Sequence, residues 1–272
     1  CILTGEYSAR HGIIDNTSRS YASHRLRTFA PVLQRAGYET AHIGKWHMGN
    51  DPTQRPGYDY WVSFPGQGRS RDPELFEDGR LGAVNGYATD LLTDRAIAFA
   101  TRARERPFML FLAHKAVHPD IVQRDDGSVD PASDEGFIPA DRHRGRYAGK
   151  KFPRARSVGF TQAVRDNKPV VAAALDAKKN PVLQKSFGAT DAITPDEEIQ
   201  ARAEMMLAVD ENAGRLVDAL RERGLLEKLG ESLGEAQAAR RSRFVPADSE
   251  EASRDLIERL RKVWPQMGDN PI

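Results

Sequence analysis

Two short segments of the sequence bring lysine and histidine close together, and these side chains can bind anions and transfer protons. Five residues of this kind stand in segments 44–49 and 113–120: Lys45, His47, His114, Lys115 and His118. A lysine supplies a cation for an oxyanion, and a histidine exchanges a proton near neutral pH. Two such segments together predict a site that holds an anionic tetrahedral group and moves a proton.

Each segment taken alone also fits a structural interpretation. Lys45 and His47 are two residues apart, so in an extended segment both side chains face the same pocket. A single Lys-x-His is nevertheless more typical of a basic turn around a buried tryptophan, here Trp46. His114 by itself is most simply a core histidine. The functional interpretation therefore depends on four residues together: Lys45, His47, Lys115 and His118.

Three carboxylates follow the first segment: Asp51, Asp59 and Asp72. Carboxylates suit calcium or magnesium, but this Pro- and Gly-rich stretch is also typical of turn-forming aspartates, and we favour turns for all three. Gly-Gln-Gly at 66–68 is too short for a dinucleotide-binding loop. No metal ligand is therefore predicted within the chain.

Alternating helix and strand patterns precede both lysine segments. Residues 26–33 follow helical spacing, and 38–43 predicts a strand. Thr89 is expected to cap a second helix that ends near 106–107. The apolar run 108–113 predicts a central strand of a sheet covered by helices. This order predicts an α/β fold in which both segments follow the carboxyl ends of strands, where ligands gather.

The remaining chain is predicted to serve mainly structure. Residues 119–195 form a long loop excursion with a basic patch at 142–156, either a substrate contact or a solvated surface. A helix is predicted over 196–223, closed by Gly224, with an apolar stripe formed by Ile199, Met206, Val209, Ala213, Leu216 and Leu220. A last helix is expected at about 249–263.

Composition excludes several classes of protein. The 272 residues carry 40 basic and 39 acidic side chains, a formal net charge of +1, so no global field favours nucleic acid or anionic lipid. A single cysteine, Cys1, excludes an internal disulfide framework and any multi-cysteine metal site. The longest apolar run is far too short to span a bilayer.

Four blocks of the sequence resemble the type I sulfatases, in the family's order. They are LTGEYSARHG at 3–12, a block ending in AGYETAHIGKWHMG at 30–49, RPFMLFLAHKAVHP at 106–119 and VDENAGRLVDAL at 209–220. The phrase at 57–68 is similar to that of bacterial sulfatases acting on sulfated glycans. The resemblance defines a sulfatase-like domain over 1–228 and leaves 229–272 unmatched.

The resemblance implies an alkaline-phosphatase-like α/β fold, a mixed sheet with helices on both faces, that hydrolyses sulfate esters of a sulfated carbohydrate. It also implies a formylglycine nucleophile, a calcium ion and a periplasmic or secreted location. By motif, Lys45 would bridge nucleophile and sulfate, and His47 would assist the formylglycine hydroxyl. His118 would bind sulfate and protonate the leaving oxygen, with Lys115 beside it as a sulfate-binding residue.

The sequence departs from the family pattern at both ends. Aligning C-x-P-S-R-x-x-x-L-T-G on residues 3–5 places Cys1 after the family's arginine, so we expect Cys1 not to be the nucleophile. The nucleophile and some calcium ligands are then expected upstream of residue 1. The S-D-N-G or S-D-H-G segment that supplies further ligands does not follow Gly224. We therefore expect an incomplete fold and an inactive chain.

Two alternatives stay open. The same superfamily contains phosphodiesterases and phosphonate hydrolases, whose tetrahedral anions would suit the same lysines. A degenerate module that binds sulfated sugar without cleaving it would also retain Lys45, His47, Lys115 and His118.

Overall fold

The computed structural model divides into two compact units, Cys1–Ala219 and Leu220–Ile272. The structure describes residues 2–13, 25–124, 130, 133, 135–153, 167 and 195–226. In the second unit this covers 220–226, the end of a helix and the turn after it. The predicted helix at 249–263 lies outside the described residues, and the predicted division at 228 stays a prediction.

The described elements alternate as an α/β fold requires. Four helices are described: α1 (Ser8–His11), α2 (Phe29–Arg35), α3 (Ala88–Thr101) and α4 (Asp196–Glu222). Five strands are described: β1 (Glu39–Gly44), β2 (Tyr60–Ser63), β3 (Glu74–Glu77), β4 (Arg80–Ala83) and β5 (Phe108–Ala113). Among these residues no helix combines the length and the apolar character needed to cross a bilayer.

The five strands form one mixed sheet in the order β4-β3-β2-β1-β5. Strand β1 is parallel to both β2 and β5, whereas β2, β3 and β4 pair antiparallel. The mixed sheet agrees with the fold that the resemblance implies. The prediction that 108–113 is a central strand is wrong for the described sheet, where β5 is outermost and its side chains are only half-buried.

Helices cover both faces of the sheet, and β1 is buried from Thr40 to Gly44. Successive strand residues point to opposite faces, and Ala41 and Ile43 pack against Leu92, Ala96 and Phe99 of α3. The opposite face meets α2, where the Phe29 and Phe111 ring centroids lie 6.3 Å apart and Ala30 joins a cluster around Trp61.

Two predicted details of the helices are wrong. Helix α3 begins after Tyr87, so Thr89 is a buried residue of its first turn rather than its cap, and the helix ends at Thr101. Helix α4 has the predicted length, but Met206 is 48% exposed and the face it buries consists of Glu204, Met205, Ala208 and Asn212. Half of that face is polar, so an apolar stripe could not reveal it.

Hydrogen bonds and ion pairs fix residues 196–219 of α4 within the first unit. The Tyr147 backbone N–H donates to Glu204 at 2.9 Å, and the Asn212 amide donates to Asp90 of α3 at 2.6 Å. Arg142, from the predicted basic patch, forms ion pairs of 2.7 Å with both Asp90 and Glu211. Arg142 therefore joins α3 to α4 rather than presenting a free charge to a substrate.

Candidate active site

The register between β1 and β5 brings the two lysine segments together. Gly44 pairs with Ala113, so both segments leave the sheet at the same edge. The Lys45 backbone N–H donates to the Ala113 carbonyl at 2.8 Å, which extends the pairing by one step. Gly44 has φ +117, and a Cβ there would lie 2.0 Å from the Ala113 oxygen. Only glycine allows this close approach.

The buried Trp46 side chain packs the first segment against a cluster of aromatic rings in the core. Its ring centroid lies 5.2 Å from both His42 and Trp61, and the Tyr58 ring completes the cluster at 6.1 Å. Burial lowers the pKa of His42 to about 3, so this histidine is neutral and belongs to the packing. A buried tryptophan therefore accompanies the basic residues, as the structural interpretation predicted.

The backbone of this segment turns at His47. Its φ of +62 lies in the left-handed region that side chains other than glycine seldom adopt. His47 therefore departs from the extended conformation in which the side chains of Lys45 and His47 would face the same pocket. His47 is exposed, whereas Lys45 is half-buried. Residues held in such sparsely populated conformations tend to cluster at functional sites.

The Lys45 ammonium donates a hydrogen bond to the side-chain oxygen Oε1 of Gln67. Gln67 is only 5% exposed, and its Nε2 donates in turn to Oε1 of Gln123 at 2.6 Å. The Asn50 amide donates to the Gln123 carbonyl at 3.2 Å. These contacts join three separate loops around the Lys45 side chain.

Lys115, in the second segment, is buried and held by its own loop. It is 3% exposed, and its ammonium donates to the carbonyls of His118 at 3.0 Å and Pro119 at 3.1 Å. It also forms an ion pair of 2.6 Å with Asp120. Asp120 accepts two further hydrogen bonds, from the Ser70 backbone N–H at 2.8 Å and the Ser70 hydroxyl at 2.6 Å.

His118 is half-buried, and one of its ring nitrogens has a clear partner. Its Nδ1 lies 2.8 Å from the Pro119 carbonyl, which only accepts, so Nδ1 carries the proton and Nε2 is left to exchange a proton with a ligand. Burial lowers the pKa of His118, and the charge of Lys45 lowers it further. The two segments lie side by side because Gly44 pairs with Ala113 and the Lys45 N–H bonds to the Ala113 carbonyl.

The other residues considered in the sequence analysis, His114 and three aspartates, form structural contacts. His114 is half-buried, burial lowers its pKa, and its electrostatic partner is Asp90 of α3. Asp51 accepts from the Thr53 N–H at 2.9 Å, in a local turn. Asp59 and Asp72 accept from the N–H groups of more distant residues, Thr40 at 2.9 Å and Gly86 at 2.7 Å. Asp51 thus stabilises a local turn, as predicted, whereas Asp59 and Asp72 join segments that are distant in sequence.

An open cleft of about 420 Å³ lies beside Gln67. Polar side chains, among them Asn50, Arg69, Gln123 and Glu135, line it together with the apolar residues Pro65, Ile121 and Val122. Arg69 and Glu135 form an exposed ion pair of 2.8 Å. A cleft with this lining offers both donors and acceptors, and Gln67, one of its lining residues, bonds to Lys45.

The described residues do not by themselves fit a calcium ion. Within the described ranges, no group of three or more His, Cys, Asp or Glu side chains is placed to hold a metal. Calcium prefers six to eight oxygen ligands, so a full ligand set is not assembled from these ranges. Cys1 lies outside the described residues.

Sequence reasoning missed Gln67, Gln123 and Asp120. The Gly-Gln-Gly of 66–68 is too short for a nucleotide-binding loop. A glutamine between two glycines is also typical of a tight turn that presents the glutamine side chain. Asp120 ends the second lysine segment itself, and its spacing of five from Lys115 within one loop was a signal for an internal ion pair.

The chain is similar to several curated sulfatases. The N-acetylglucosamine-6-O-sulfatase of Bacteroides thetaiotaomicron is 38% identical over 157 residues, covering 56% of this chain and 24% of the relative. The arylsulfatase of Klebsiella aerogenes is 25% identical over 228 residues, covering 74% of this chain and 44% of the relative. The chain thus spans less than half the length of these relatives.

Solved structures and a family model agree with these similarities. A protein solved in complex with its substrate D-glucosamine-2-N,6-O-disulfate superposes with a TM-score of 0.57 at 26% identity, covering 83% of this chain and 52% of that one. The family model described as Sulfatase matches residues 1–229. The mixed sheet, its helices and the two lysine segments therefore belong to a member of the sulfatase family.

Proposed function

We propose that this chain forms part of a sulfuric ester hydrolase that acts on a sulfated carbohydrate. The observation that carries the proposal is the pairing of Gly44 with Ala113, which puts Lys45 and His118 at one edge of the sheet. The sulfatase family model supports the reaction class. The names of the N-acetylglucosamine-6-O-sulfatase and of the glucosamine-disulfate complex support a sulfated amino sugar as the ligand.

Hydrolysis of a sulfate ester breaks the bond between sulfur and the sugar oxygen, and it yields an alcohol and inorganic sulfate. In this proposal the Lys45 ammonium binds a sulfate oxygen and stabilises the negative charge that develops during transfer. His118 donates a proton from Nε2 to the leaving sugar oxygen. A bound sulfate raises the pKa of His118 from its lowered value, which favours the protonated acid.

His47 and Lys115 take different places in the proposal. His47, exposed on a left-handed turn beside Lys45, assists the nucleophile's hydroxyl as the resemblance implies. For Lys115 the contacts support an indirect part in sulfate binding, because its ammonium holds the carbonyls of His118 and Pro119. It thereby orients the loop that carries the proposed acid.

Calcium and formylglycine remain expectations from the family. A formylglycine would supply the oxygen nucleophile, and calcium would orient the sulfate. The described residues do not assemble a full set of calcium ligands. A periplasmic or secreted location is likewise proposed, since sulfated glycans are polymers of the cell exterior.

The proposal predicts that the chain binds a sulfated sugar through Lys45. We expect Lys45→Ala to weaken binding of D-glucosamine 6-sulfate by roughly 10- to 100-fold, the loss typical of a charge-assisted hydrogen bond. Isothermal titration measures this directly. Lys151→Ala, an exposed lysine elsewhere, is the matched control and should leave affinity unchanged.

Two further measurements distinguish the sulfatase proposal from the alternative functions. Unsulfated glucosamine should bind weakly, and equal affinity for both sugars would contradict a sulfate site. The second measurement uses the protein that contains this segment and compares its rates of hydrolysis of an aryl sulfate and of an aryl phosphate diester. Faster hydrolysis of the sulfate indicates sulfatase chemistry, and faster hydrolysis of the diester indicates phosphodiesterase chemistry. Binding without any hydrolysis would support the non-catalytic alternative.

A further inference from the structure

We propose that a basic turn at residues 144–151 binds a sulfated polysaccharide, one sugar of which occupies the cleft beside Gln67. The turn carries four exposed cations: Arg144, Arg146, Lys150 and Lys151. The inference rests on the proposed function, and it extends that function from one sulfated sugar to the neighbouring sugars of the same polymer.

The basic turn concentrates positive charge in a chain whose charges almost cancel. The whole sequence carries 40 basic and 39 acidic residues, yet no position from 142 to 165 is acidic. Among the residues that the structure describes, none forms an ion pair with Arg146 or Lys151. Arg144 reaches Asp141 only at 3.6 Å, and Asp141 also pairs with Arg71. The turn therefore presents a local positive surface, which attracts a polyanion.

Hydrogen bonds to α4 hold the backbone of the basic turn in place. The Tyr147 N–H donates to Glu204 at 2.9 Å, and the Gln200 amide donates to the Lys150 carbonyl at 2.9 Å. The Lys150 ammonium lies 5.0 Å from the ring centroid of Tyr147 and 5.4 Å from that of Phe152. A surface that is ordered before binding loses less conformational entropy when a ligand binds. The basic turn therefore suits ligand binding better than a mobile loop would.

Two ion pairs connect the wall of the cleft to the basic turn. Arg69 and Glu135 line the cleft and lie 2.8 Å apart, and Arg71 pairs with Asp141, just before the turn. Because Arg69 and Arg71 are two residues apart, their Cα atoms are separated by at most about 7 Å. A second hollow of about 350 Å³ is lined by Arg71, Asp141 and Arg142. The cleft, this hollow and the basic turn therefore offer contacts to successive sugars of one polymer.

A polymer gains more from such a surface than a single sugar does. One exposed ion pair contributes little to affinity, because water and salt screen it. A polysaccharide with repeated sulfate groups contacts several cations at once, and each further contact is intramolecular once one sugar is held in the cleft. A monosaccharide in the cleft does not extend to the basic turn. We therefore expect the chain to prefer longer sulfated ligands.

The test compares a sulfated oligosaccharide with a sulfated monosaccharide. We expect Arg146→Ala combined with Lys151→Ala to weaken binding of a heparin octasaccharide by roughly tenfold and to leave the affinity for D-glucosamine 6-sulfate unchanged. Isothermal titration at low ionic strength measures both affinities, and circular dichroism checks the fold. The matched control, Arg35→Ala combined with Arg80→Ala, removes the same charge from exposed positions elsewhere and should change neither affinity.

The dependence on salt gives a second measurement. Octasaccharide affinity should fall less steeply with sodium chloride in the Arg146/Lys151 variant than in the unaltered chain, because fewer exposed charges take part. An unchanged octasaccharide affinity, or an equal loss in the control variant, would overturn the basic turn as a binding surface. Equal affinity for a single-stranded DNA octamer would overturn a sulfated polysaccharide as its ligand.

The monosaccharide distinguishes this inference from the proposed function. If the unaltered chain binds the octasaccharide through the basic turn but does not bind D-glucosamine 6-sulfate, the proposed sulfate site fails and the basic turn stands. If it binds the monosaccharide and the Arg146/Lys151 variant loses no octasaccharide affinity, the basic turn fails and the sulfate site stands. Binding of neither ligand would overturn both.

Discussion

The two lysines at the edge of the sheet have the same chemistry and different surroundings. Both follow the end of a parallel strand, yet Lys115 is 3% exposed and contacts the carboxylate of Asp120, whereas Lys45 is half-buried and contacts the amide of Gln67. A buried carboxylate neutralises the charge of its lysine, and the ion pair stabilises the loop. Two lysines that follow neighbouring strands therefore have different partners, which fits a structural role for Lys115 and the proposed binding role of Lys45.

The sharpest way to test this division is to remove the charge of Lys115. Lys115→Met leaves Asp120 buried and uncompensated, so we expect the free energy of unfolding to fall by about 3–5 kcal/mol. Urea denaturation measures the loss. Lys45→Met, at the half-buried position, should lower the free energy of unfolding by less than about 1 kcal/mol.

A double variant separates the ion pair from simple packing. Lys115→Met combined with Asp120→Leu removes both charges and should recover part of the lost stability. If Lys115→Met is as mild as Lys45→Met, the buried pair does not stabilise the second segment, and the comparison fails.

The second prediction concerns the place where the two segments touch. Gly44→Ala should lower the free energy of unfolding by about 1–3 kcal/mol, because the residue is left-handed and its Cβ would lie 2.0 Å from the Ala113 oxygen. Thermal melts followed by circular dichroism give the value. Gly79→Ala, at φ +75 with nothing within 4 Å of its Cβ, isolates the backbone effect and should be milder. Equal losses would contradict a tight contact between the segments.

The smallest predicted effect is the pH dependence that joins Lys45 to His118. Burial and Lys45 lower the pKa of His118 in the free protein, and a bound anion raises it. Binding therefore takes up a proton between the two pKa values, and sulfate affinity should increase as pH falls through that range. We expect a gain of about tenfold from about pH 8 to about pH 5. His118→Asn should flatten the titration curve, and an unchanged slope would remove His118 from the site.

Much of the architecture could be predicted because it depends on short apolar patterns. The strand at 39–44, the apolar run at 108–113 and the position of both lysine segments after them follow from β-branched and apolar residues in sequence. The mixed sheet and its covering helices confirm the fold that the resemblance implies. Resemblance to sulfatases, carried by the GKWHMG block, is confirmed by the family match over 1–229.

The details that escaped prediction depend on long-range polar contacts. The buried face of α4 contains Glu204 and Asn212, which form hydrogen bonds with Tyr147 and Asp90 from distant parts of the chain. No periodicity reveals such partners. The difference between Lys45 and Lys115 likewise comes from Gln67, 22 residues away in sequence, and from the fold of one loop.

The pairing of β1 with β5 also determines where this protein tolerates change in length. Adding one residue to either strand would shift Gly44 away from Ala113 and turn every following side chain to the other face. Lys45 and His118 would then leave the sheet on different sides. The tight turn at Asp78 and Gly79, between β3 and β4, connects two strands remote from this edge. Length variation among relatives should therefore accumulate in such turns and spare the six paired positions of β1 and β5.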